Sequence, residues 1–471
     1  MSTTREPANS ARARDGGRRV GGEEPVSQSP APTTTNALST SAKLRFASCG
    51  LCFFVAGLND GCIGALVPYL LTEYAITTSF VGIVYGVNFA GWAIAAFLMP
   101  LCKNMVGLRG TLLLGAALYV VAQTLRVWTP PYPVYCVSYL FSSLGQAFQD
   151  AQANTLVSAM SASHIWLGMI HSAYALGLLV APLMATSIAS EGHWATFYAI
   201  PLGIGVFNFA LVMLAFFSIR QVISDGDSEN TGSDSRNNIR LDNPVVNVQH
   251  AQSQNSPLRA VGKFSAAKKE MKETLQVRAV WLISVFFFFH LGAMFTITNW
   301  IVVFLSTVRG LPVSRAGYVP TGFYGGMLLG RLLMPQPTHT WLGGEHYMLT
   351  LYSIAMFGLE LIVWRVDSAI GVSVAYSIMG FFSGPFFAAA IQVASEVIPR
   401  KVSSNALGII FVVAQLGANV FPAIAGTIAA SDGTTVMQPI ALGLIAAMGV
   451  AWWVVPTAPR SRGQGEAESG R

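Results

Sequence analysis

Twelve segments of this sequence are apolar over the length that a helix needs to cross a lipid bilayer. The hydrocarbon core is about 30 Å thick, so each crossing takes about 20 mostly apolar residues. The predicted spans, numbered 1 to 12 in chain order, cover residues 45–72, 78–102, 110–128, 133–160, 165–189, 195–219, 279–306, 316–337, 346–366, 369–397, 404–430 and 436–457. This pattern predicts an all-α integral membrane protein with 12 transmembrane helices.

The composition excludes several other classes of protein. Hydrophobic residues make up 53% of the chain and charged residues 11%, whereas a soluble domain carries about 25% charged residues. The net charge of +6 comes from tails, loops and a central linker rather than from one patch, so we expect no nucleic-acid partner. The five cysteines lie in or beside apolar segments without a second ligand cluster, which predicts neither a metal site nor disulfides. No nucleotide-binding or catalytic motif is present, so we expect no cofactor and no enzyme activity.

Polar segments divide the chain into five parts. Residues 1–43 are predicted to be a disordered N-terminus, 44–220 an N-terminal six-helix bundle and 221–277 a disordered linker. Residues 278–457 form the predicted C-terminal six-helix bundle, and 458–471 a polar tail.

Basic residues predict which way the chain crosses the membrane. An even number of spans puts both termini and the linker on one side, and most basic residues flank the spans on that side. Because such residues mark the cytoplasmic side, the termini and linker are predicted to be cytoplasmic. The linker's end, from Lys263 to Arg278, can form a basic amphipathic helix on the membrane surface. We expect a monomer in the lipid bilayer of the plasma membrane rather than the vacuole.

The two sets of six spans are related by an internal repeat. A shift of 235 positions brings small residues and one tripeptide into coincidence: Ser79 with Ser314, Gly82 with Gly317, Gly91 with Gly326, Gly145 with Gly380, and Leu98-Met99-Pro100 with Leu333-Met334-Pro335. In spans 5 and 11, at a shift of 240, the pairs are Gly168 with Gly408, Gly177 with Gly417 and Pro182 with Pro422. Because six is even, the halves are parallel repeats, which is the architecture of major facilitator superfamily transporters.

The loop between spans 2 and 3 resembles the loop signature of that superfamily. It reads Pro-Leu-Cys-Lys-Asn-Met-Val-Gly-Leu-Arg-Gly over residues 100–110 and keeps Gly107 and Arg109. Asn104 stands where the family usually has an aspartate, so a strong charge-pair latch is not expected. The resemblance implies two bundles that rock about a site at mid-membrane, with Arg109 and Arg331 as gating residues.

Four further segments are similar to the fucose permease-like branch of the superfamily and its fungal members. They are Gly57–Pro68 in span 1, Gly145–Asn154 in span 4, His171–Gly177 in span 5 and Gly292–Trp300 in span 7. The resemblance implies a sugar–proton symporter or one of the fungal members without a known substrate. Relatives commonly carry a glutamate where this chain has Met294, so we do not expect it to share the substrate of any particular relative.

Acidic residues within the spans are the strongest candidates for chemistry. An ionised carboxylate inside a membrane costs several kcal/mol unless it is hydrated, paired or neutralised. Asp60 lies mid-way along span 1, and Asp150 shares one face of span 4 with Gln146 and Asn154. The resemblance implies that these two acids serve protonation and substrate binding. The alternative is that both only bond polar neighbours, and Glu360 in span 9 is expected to be structural.

Other polar and aromatic side chains are predicted to line a substrate cavity. Amides can bond sugar hydroxyls, and aromatic rings can cover the apolar face of a sugar. The alternative is that they lie at membrane interfaces or join helices. The predicted lining residues are Asn59, Asn88, Trp92, Gln146, Asn154, His171, Tyr174, Thr296, Asn299, Trp300, Gln415 and Asn419.

The sequence therefore favours a secondary active transporter that moves a small organic solute by alternating access. Proton coupling and a sugar-like substrate are expected, and proton-driven efflux of a metabolite or drug-like compound is the alternative. A non-transporting membrane sensor is a third hypothesis, which a long cytoplasmic signalling domain would favour.

Overall fold

The computed structural model describes residues 40–158, 160, 163–217, 269–341 and 344–456, in which every regular element is a helix. In the first half, span 1 comprises Thr40–Gly61 and Ile63–Glu73, and spans 2 and 3 lie within the single helix Thr78–Arg126. Span 4 is Tyr132–Ser158, span 5 is Ser163–Ser190, and span 6 is the 3₁₀ turn Trp194–Tyr198 followed by Ala199–Ala215. The predicted tails and most of the predicted linker lie outside the described residues.

The second half follows the same order. Span 7 is Arg278–Val308, span 8 is Val313–Ala316 with Val319–Leu333, the short helix Pro335–Thr340 follows, and span 9 is Glu345–Arg365. Span 10 comprises Ala369–Ser383 and Phe386–Val397. After the turn Arg400–Val402, span 11 is Ser403–Asp432, and the turn Thr434–Val436 leads into span 12, Met437–Trp453.

Within the described residues, nine helices are long and apolar enough to cross a membrane on their own. The helix Thr78–Arg126 carries two spans, because Gly107 interrupts it with a φ of 66° that favours glycine. Span 4 is not apolar enough and span 8 is not long enough to be counted among these nine. Both nevertheless pack within the bundles between long neighbouring helices. The fold is thus twelve transmembrane helices in two parallel six-helix repeats, as the sequence predicts.

Glycines of the repeat lie at equivalent helix crossings in the two halves. A Cβ atom on Gly91 in span 2 would overlap span 4, and one on Gly326 in span 8 would overlap Ser377 in span 10. The crossing of spans 1 and 5 at Gly177 corresponds to that of spans 7 and 11 at Gly417, where a Cβ would strike a backbone carbonyl oxygen. Small residues allow this approach where lipid provides no hydrophobic drive.

The two halves meet at a closed seam on one membrane side. We call the side where span 6 ends and span 7 begins the linker side, and the opposite one the far side. Near the far side, Thr78 of span 2 donates to the carbonyl oxygen of Gly426 in span 11, at 2.6 Å. Gly64 of span 1 packs on span 7, and Gly317 of span 8 packs on Thr186 of span 5. These crossings bring the two halves into direct contact at that end.

Two helical segments lie at the linker-side borders of the bundles. Span 1 begins at Thr40, inside the predicted disordered N-terminus, and residues 269–276 form a helix within the segment from Lys263 to Arg278, where the sequence allows a basic amphipathic helix. That helix is held in place because Thr274 is fully buried and Glu273 forms an ion pair with Lys401, at 2.6 Å.

Candidate functional site

A cavity of about 740 Å³ lies between the two halves. Its walls come from spans 1, 2, 4 and 5 of the first half and spans 7, 8, 10 and 11 of the second. Pro100, Asn405 and Met271 lie at its rim, and all three belong to the linker side. Since the far side is closed by the seam, the protein adopts a conformation that is open on the linker side.

The cavity wall is mainly apolar with a smaller polar portion. Rings from both halves contribute to the wall: Phe53, Phe89, Trp92, Phe295, Phe387 and Phe411. The polar part comprises Gln146, Asp150, Asn154, His171, Tyr174, His290, Thr298, Tyr324, Arg331, Ser383, Asn405 and Gln415. A site of this kind can hold an organic molecule that has both polar groups and an apolar surface.

Asp60 lies behind two of the lining side chains and accepts hydrogen bonds from three donors. Gln146 Nε2 donates to its Oδ2 at 3.0 Å, and the Tyr174 hydroxyl donates to the same oxygen at 2.9 Å. Asn59 Nδ2 donates to Oδ1 at 3.1 Å. The helix of span 1 is interrupted at Cys62, two residues beyond Asp60. The carboxylate is therefore joined to the cavity through side chains of spans 4 and 5.

Asp150 lies in the cavity wall itself, on the face of span 4 that also carries Gln146 and Asn154. Its Oδ1 atom is buried and has no hydrogen-bond partner among the described residues. The two aspartates thus differ in their surroundings, because the Asp60 carboxylate is well supplied with donors and this oxygen of Asp150 is not.

Arg126 is a component of the site that the sequence did not predict. It lies near the far-side end of predicted span 3, where a basic residue is ordinary, but its side chain is 0% exposed. Its NH1 donates to Asn59 Oδ1 at 2.8 Å, so Asn59 bridges Arg126 and Asp60. Its guanidinium also lies 3.7 Å from the centre of the Tyr139 ring.

A signal for Arg126 is present in span 4. Ser138 and Ser142, which accept from Arg126 at 2.7 Å each, continue the four-residue spacing of Gln146, Asp150 and Asn154 toward the far side. Residues spaced by four lie along one face of a helix. The full polar face of span 4 therefore indicates a buried polar partner at its far-side end.

Six of the predicted lining residues do not line this cavity. Asn88 and Asn419 bond each other across the seam at 2.9 Å, and Asn59 lies behind Asp60. Trp300 is buried and donates through Nε1 to the carbonyl oxygen of Pro422. Each of these side chains forms a hydrogen bond to another helix.

The other two, Thr296 and Asn299, are 1% exposed and are not part of the cavity wall. Asn299 lies where span 7 packs on Gly64. Trp92, Gln146, Asn154, His171, Tyr174 and Gln415 do line the cavity.

The two predicted gating arginines have different surroundings. Arg331 lies in the cavity wall and its NH1 donates to the carbonyl oxygen of His171 in the other half, at 3.2 Å. Arg109 lies 5.4 Å from the ring centre of Phe217 within its own half. Of the two arginines, Arg331 is therefore the one with a described contact to the other half.

A second residue missing from the sequence prediction is His290 of span 7. It lines the cavity, and its ring stacks on Phe286 and Phe386 with its Nδ1 3.2 Å from Met448 Sδ. The run of four phenylalanines before it gave no polar periodicity that could reveal it.

A helical membrane fold of two repeated bundles around a cavity open to one side defines a secondary transporter, which exposes one site to the two sides in turn. The chain belongs to the Major Facilitator Superfamily, whose family model matches residues 49–368. The superfamily predicted from the repeat is thereby confirmed, and the protein is a transporter of small molecules rather than an enzyme.

Individual relatives and solved structures agree with this family. Bypass of stop codon protein 6 of Saccharomyces cerevisiae (strain ATCC 204508 / S288c) is 25% identical over 438 residues, which are 88% of this chain and 82% of the relative.

Two solved structures share the fold. A bacterial homolog to the human lysosomal transporter Spinster, in an inward-facing and unoccupied conformation, is 11% identical with a TM-score of 0.65, over 89% of this chain and 98% of that one. A D-xylose-proton symporter is 14% identical with a TM-score of 0.65, over 90% and 99%.

Proposed function

We propose that the protein is a proton-coupled transporter in which Asp60 and Asp150 form the coupling site. The observation that carries this proposal is a pair of carboxylates at one cavity wall, one in the wall and one directly behind it. A carboxyl group in the membrane is tolerated when it is hydrated or neutralised. A proton that loads from the open cavity neutralises the site before the halves rock, and it leaves when the other side opens.

A sugar-like substrate is favoured. Gln146, Asn154 and Gln415 present amide groups to the cavity, and Trp92 and Phe387 present rings. Amides bond hydroxyl groups and rings cover the apolar face of a sugar, as in the sequence-based hypothesis. The similar fold of a D-xylose-proton symporter and the resemblance to the fucose permease-like branch support the same substrate class.

Efflux of an amphipathic, drug-like compound is the second candidate. The apolar wall that Phe53, Phe89, Phe295 and Phe411 build favours a larger apolar surface than a sugar has. In either case Arg331 acts as a gate, because its bond to the His171 carbonyl must break or shift when the halves move. Arg109 is the second proposed gating residue. We infer that the linker side is cytoplasmic and that the protein acts as a monomer in the plasma membrane.

Reconstitution tests the coupling. The full chain is placed in liposomes that contain a pH-sensitive dye, and D-xylose, D-glucose, L-fucose and rhodamine 6G are supplied as probes. We expect one probe class to drive a proton flux. Asp150→Asn and Asp60→Asn are expected to abolish accumulation of that probe against its gradient, since each removes one carboxylate of the coupling site.

The matched control is Glu360→Gln. Glu360 is a buried carboxyl that does not line the cavity, so its variant is expected to keep proton-driven accumulation. If Asp60→Asn and Asp150→Asn both still accumulate the probe under a proton gradient, the assignment of the coupling site is wrong.

A further inference from the structure

Arg126 carries a buried positive charge that no ion pair described in the structure neutralises. Its three hydrogen bonds go to neutral oxygens, those of Asn59, Ser138 and Ser142, at 2.7 to 2.8 Å. Its side chain is fully buried, and the ion pairs among the described residues do not include it. An isolated charge in such a place is costly, and removing one partner of a buried charge pair destabilises the fold strongly. A negative group close by would offset this cost.

The Asp60 carboxylate is joined to Arg126 by one side chain. Asn59 accepts from Arg126 through Oδ1 and donates to Asp60 through Nδ2. The Asn59 amide suits both neighbours, because its oxygen faces the Arg126 cation and its NH₂ group faces the Asp60 anion. The face of the Tyr139 ring supplies a further part of the attraction to the cation.

The hydrogen bonds around Asp60 suit an ionised carboxylate. All three partners, Asn59, Gln146 and Tyr174, donate to its oxygens, and donors directed at a carboxylate favour its charged form. The charged or titratable groups near Asp60 come from spans 1, 3, 4, 5 and 8: Cys62, Tyr119, Arg126, Asp150, Tyr174 and Tyr324. Arg126 is the cation in this set.

Asp150 has the opposite surroundings. Its Oδ1 atom is buried without a donor in the described structure, and the residue lies in the wall of the cavity that opens on the linker side. Its own surroundings contain the second acid, Asp60, together with Cys52 and Tyr174, and no cation bonds to it. Arg331 of span 8 lines the same cavity, but its described bond goes to the His171 carbonyl oxygen. Arg126 is the cation that hydrogen bonds join to the Asp60 member of this pair, and two neighbouring carboxylates with one such cation are best compensated when one of the two is protonated.

We propose that Arg126, acting through Asn59, keeps Asp60 ionised throughout the transport cycle, so that Asp150 alone carries the proton. Arg126 is a positioning residue. Because Asp60 stays ionised, a single proton moves through this site in each transport cycle. The inference rests on the proposed proton coupling and assigns the two aspartates their separate roles.

Carbodiimide labelling reports the protonation of each aspartate without any substrate. Dicyclohexylcarbodiimide reacts with a protonated carboxyl group in an apolar environment and leaves an adduct that mass spectrometry assigns to one peptide. In the purified full chain at neutral pH we expect an adduct on Asp150 and none on Asp60. In Arg126→Gln, which removes the cation, we expect Asp60 to be labelled as well.

Two controls separate charge from structure. Arg126→Lys keeps the positive charge but loses the fork of bonds to Ser138 and Ser142, and it is expected to leave Asp60 unlabelled. Asp150→Asn must remove the main adduct. Labelling of Asp60 in the natural protein, no adduct on Asp150, or an unlabelled Asp60 in Arg126→Gln would each overturn the proposal.

Thermal melting tests the same link if Arg126→Gln alone fails to fold. Asp60→Asn leaves Arg126 without a counter-ion, whereas Asp60→Asn combined with Arg126→Gln removes both charges. The double variant is expected to melt about 5 °C or more above Asp60→Asn. A double variant that melts no higher contradicts the link.

Failure of proton coupling is recognised separately. If the natural protein shows no proton flux with any probe, the proposed function fails, but the labelling and melting results still decide whether Arg126 holds Asp60 ionised.

Discussion

Single glycines set how closely the helices of each bundle approach. A Cβ on Gly177 of span 5 would overlap the carbonyl oxygen of Phe54 in span 1, and one on Gly417 of span 11 would overlap that of Phe288 in span 7. The obstacle in both cases is backbone, which cannot rotate away as a side chain can. The spans that carry Asp60 and Tyr174 are brought within hydrogen-bond distance by the first of these crossings.

The residue-scale prediction concerns this crossing. Gly177→Ala is expected to destabilise the protein by about 1–3 kcal/mol, because the added methyl group must push spans 1 and 5 apart. The lower melting temperature should be seen in the purified protein in detergent. Gly168→Ala in the same helix is the control, since a Cβ there meets nothing within 4 Å. Equal effects of the two variants would contradict this explanation.

Among the elements, span 4 is the one that organises the site. One face carries polar residues at every fourth position from Ser138 to Asn154, and this face holds Arg126 at one end and lines the cavity at the other. The equivalent span 10 is interrupted between Ser383 and Phe386 and has Pro385 at the position that corresponds to Asp150. The two halves thus share a fold and differ in the element that holds the acid.

Helix 269–276 is held by an ion pair that depends on pH and on salt concentration. Its Met271 lies at the cavity rim, and Lys401 Nζ lies 2.6 Å from Glu273 Oε2. The hydrogen bond from Lys401 lowers the pKa of Glu273 from 4.5, and the bond to Glu273 raises the pKa of Lys401 from 10.5. The pair is therefore fully formed between these two values. It is lost as the pH falls through the lowered pKa of Glu273 or rises through the raised pKa of Lys401.

Hydrogen–deuterium exchange can measure this docking. Lys401→Gln is expected to lower the protection factors of residues 269–276 about two- to three-fold, because exposed ion pairs contribute little. A high salt concentration should have the same effect in the natural protein, since salt screens such pairs. Lys272→Gln is the matched control, as Lys272 is exposed and forms no ion pair among the described residues. Unchanged protection in Lys401→Gln would show that the pair does not hold the helix.

At the scale of the whole molecule, the conformation is set by which side of the interface between halves is closed. The far side is closed by spans 1 with 7, 2 with 11 and 5 with 8, and glycines or a direct hydrogen bond lie at each crossing. The cavity opens on the linker side, where His171 joins the halves through its bond to Arg331 and its ring contact with Phe387. Alternating access requires the far-side seam to open while the linker side closes.

A disulfide across the seam tests this motion. A Cβ on Gly82 of span 2 would lie 3.5 Å from the Cβ of Ala423 in span 11, which is within the range that a disulfide spans. Gly82→Cys with Ala423→Cys is expected to form a disulfide on oxidation and to stop transport by holding the seam closed.

Reduction should restore transport, and the two single-cysteine variants should be unaffected by oxidation. The five natural cysteines are free, but four of them are buried, which limits their oxidation. Full transport by the oxidised double variant would mean that this seam does not open during the cycle.

The sequence by itself determined the class of fold, the twelve spans and the parallel repeat. It could do so because each span must be apolar over a fixed length, and close helix crossings demand small residues at repeated positions. The same rules singled out Asp60 and Asp150, since an acid within a span stands out against apolar neighbours. The face formed by Gln146, Asp150 and Asn154 followed from helix periodicity alone.

Only the tertiary structure decided which polar residues meet. Arg126 lies near the end of predicted span 3, but nothing local reveals that its side chain is buried and bonds to Asn59. Contacts between helices, rather than the cavity wall, hold the side chains of Trp300, Asn88 and Asn419. These side chains could equally well bond or stack on a substrate. Whether a side chain lines a cavity depends on how whole helices are rotated and packed. The rotation and packing are set by contacts between residues far apart in the chain.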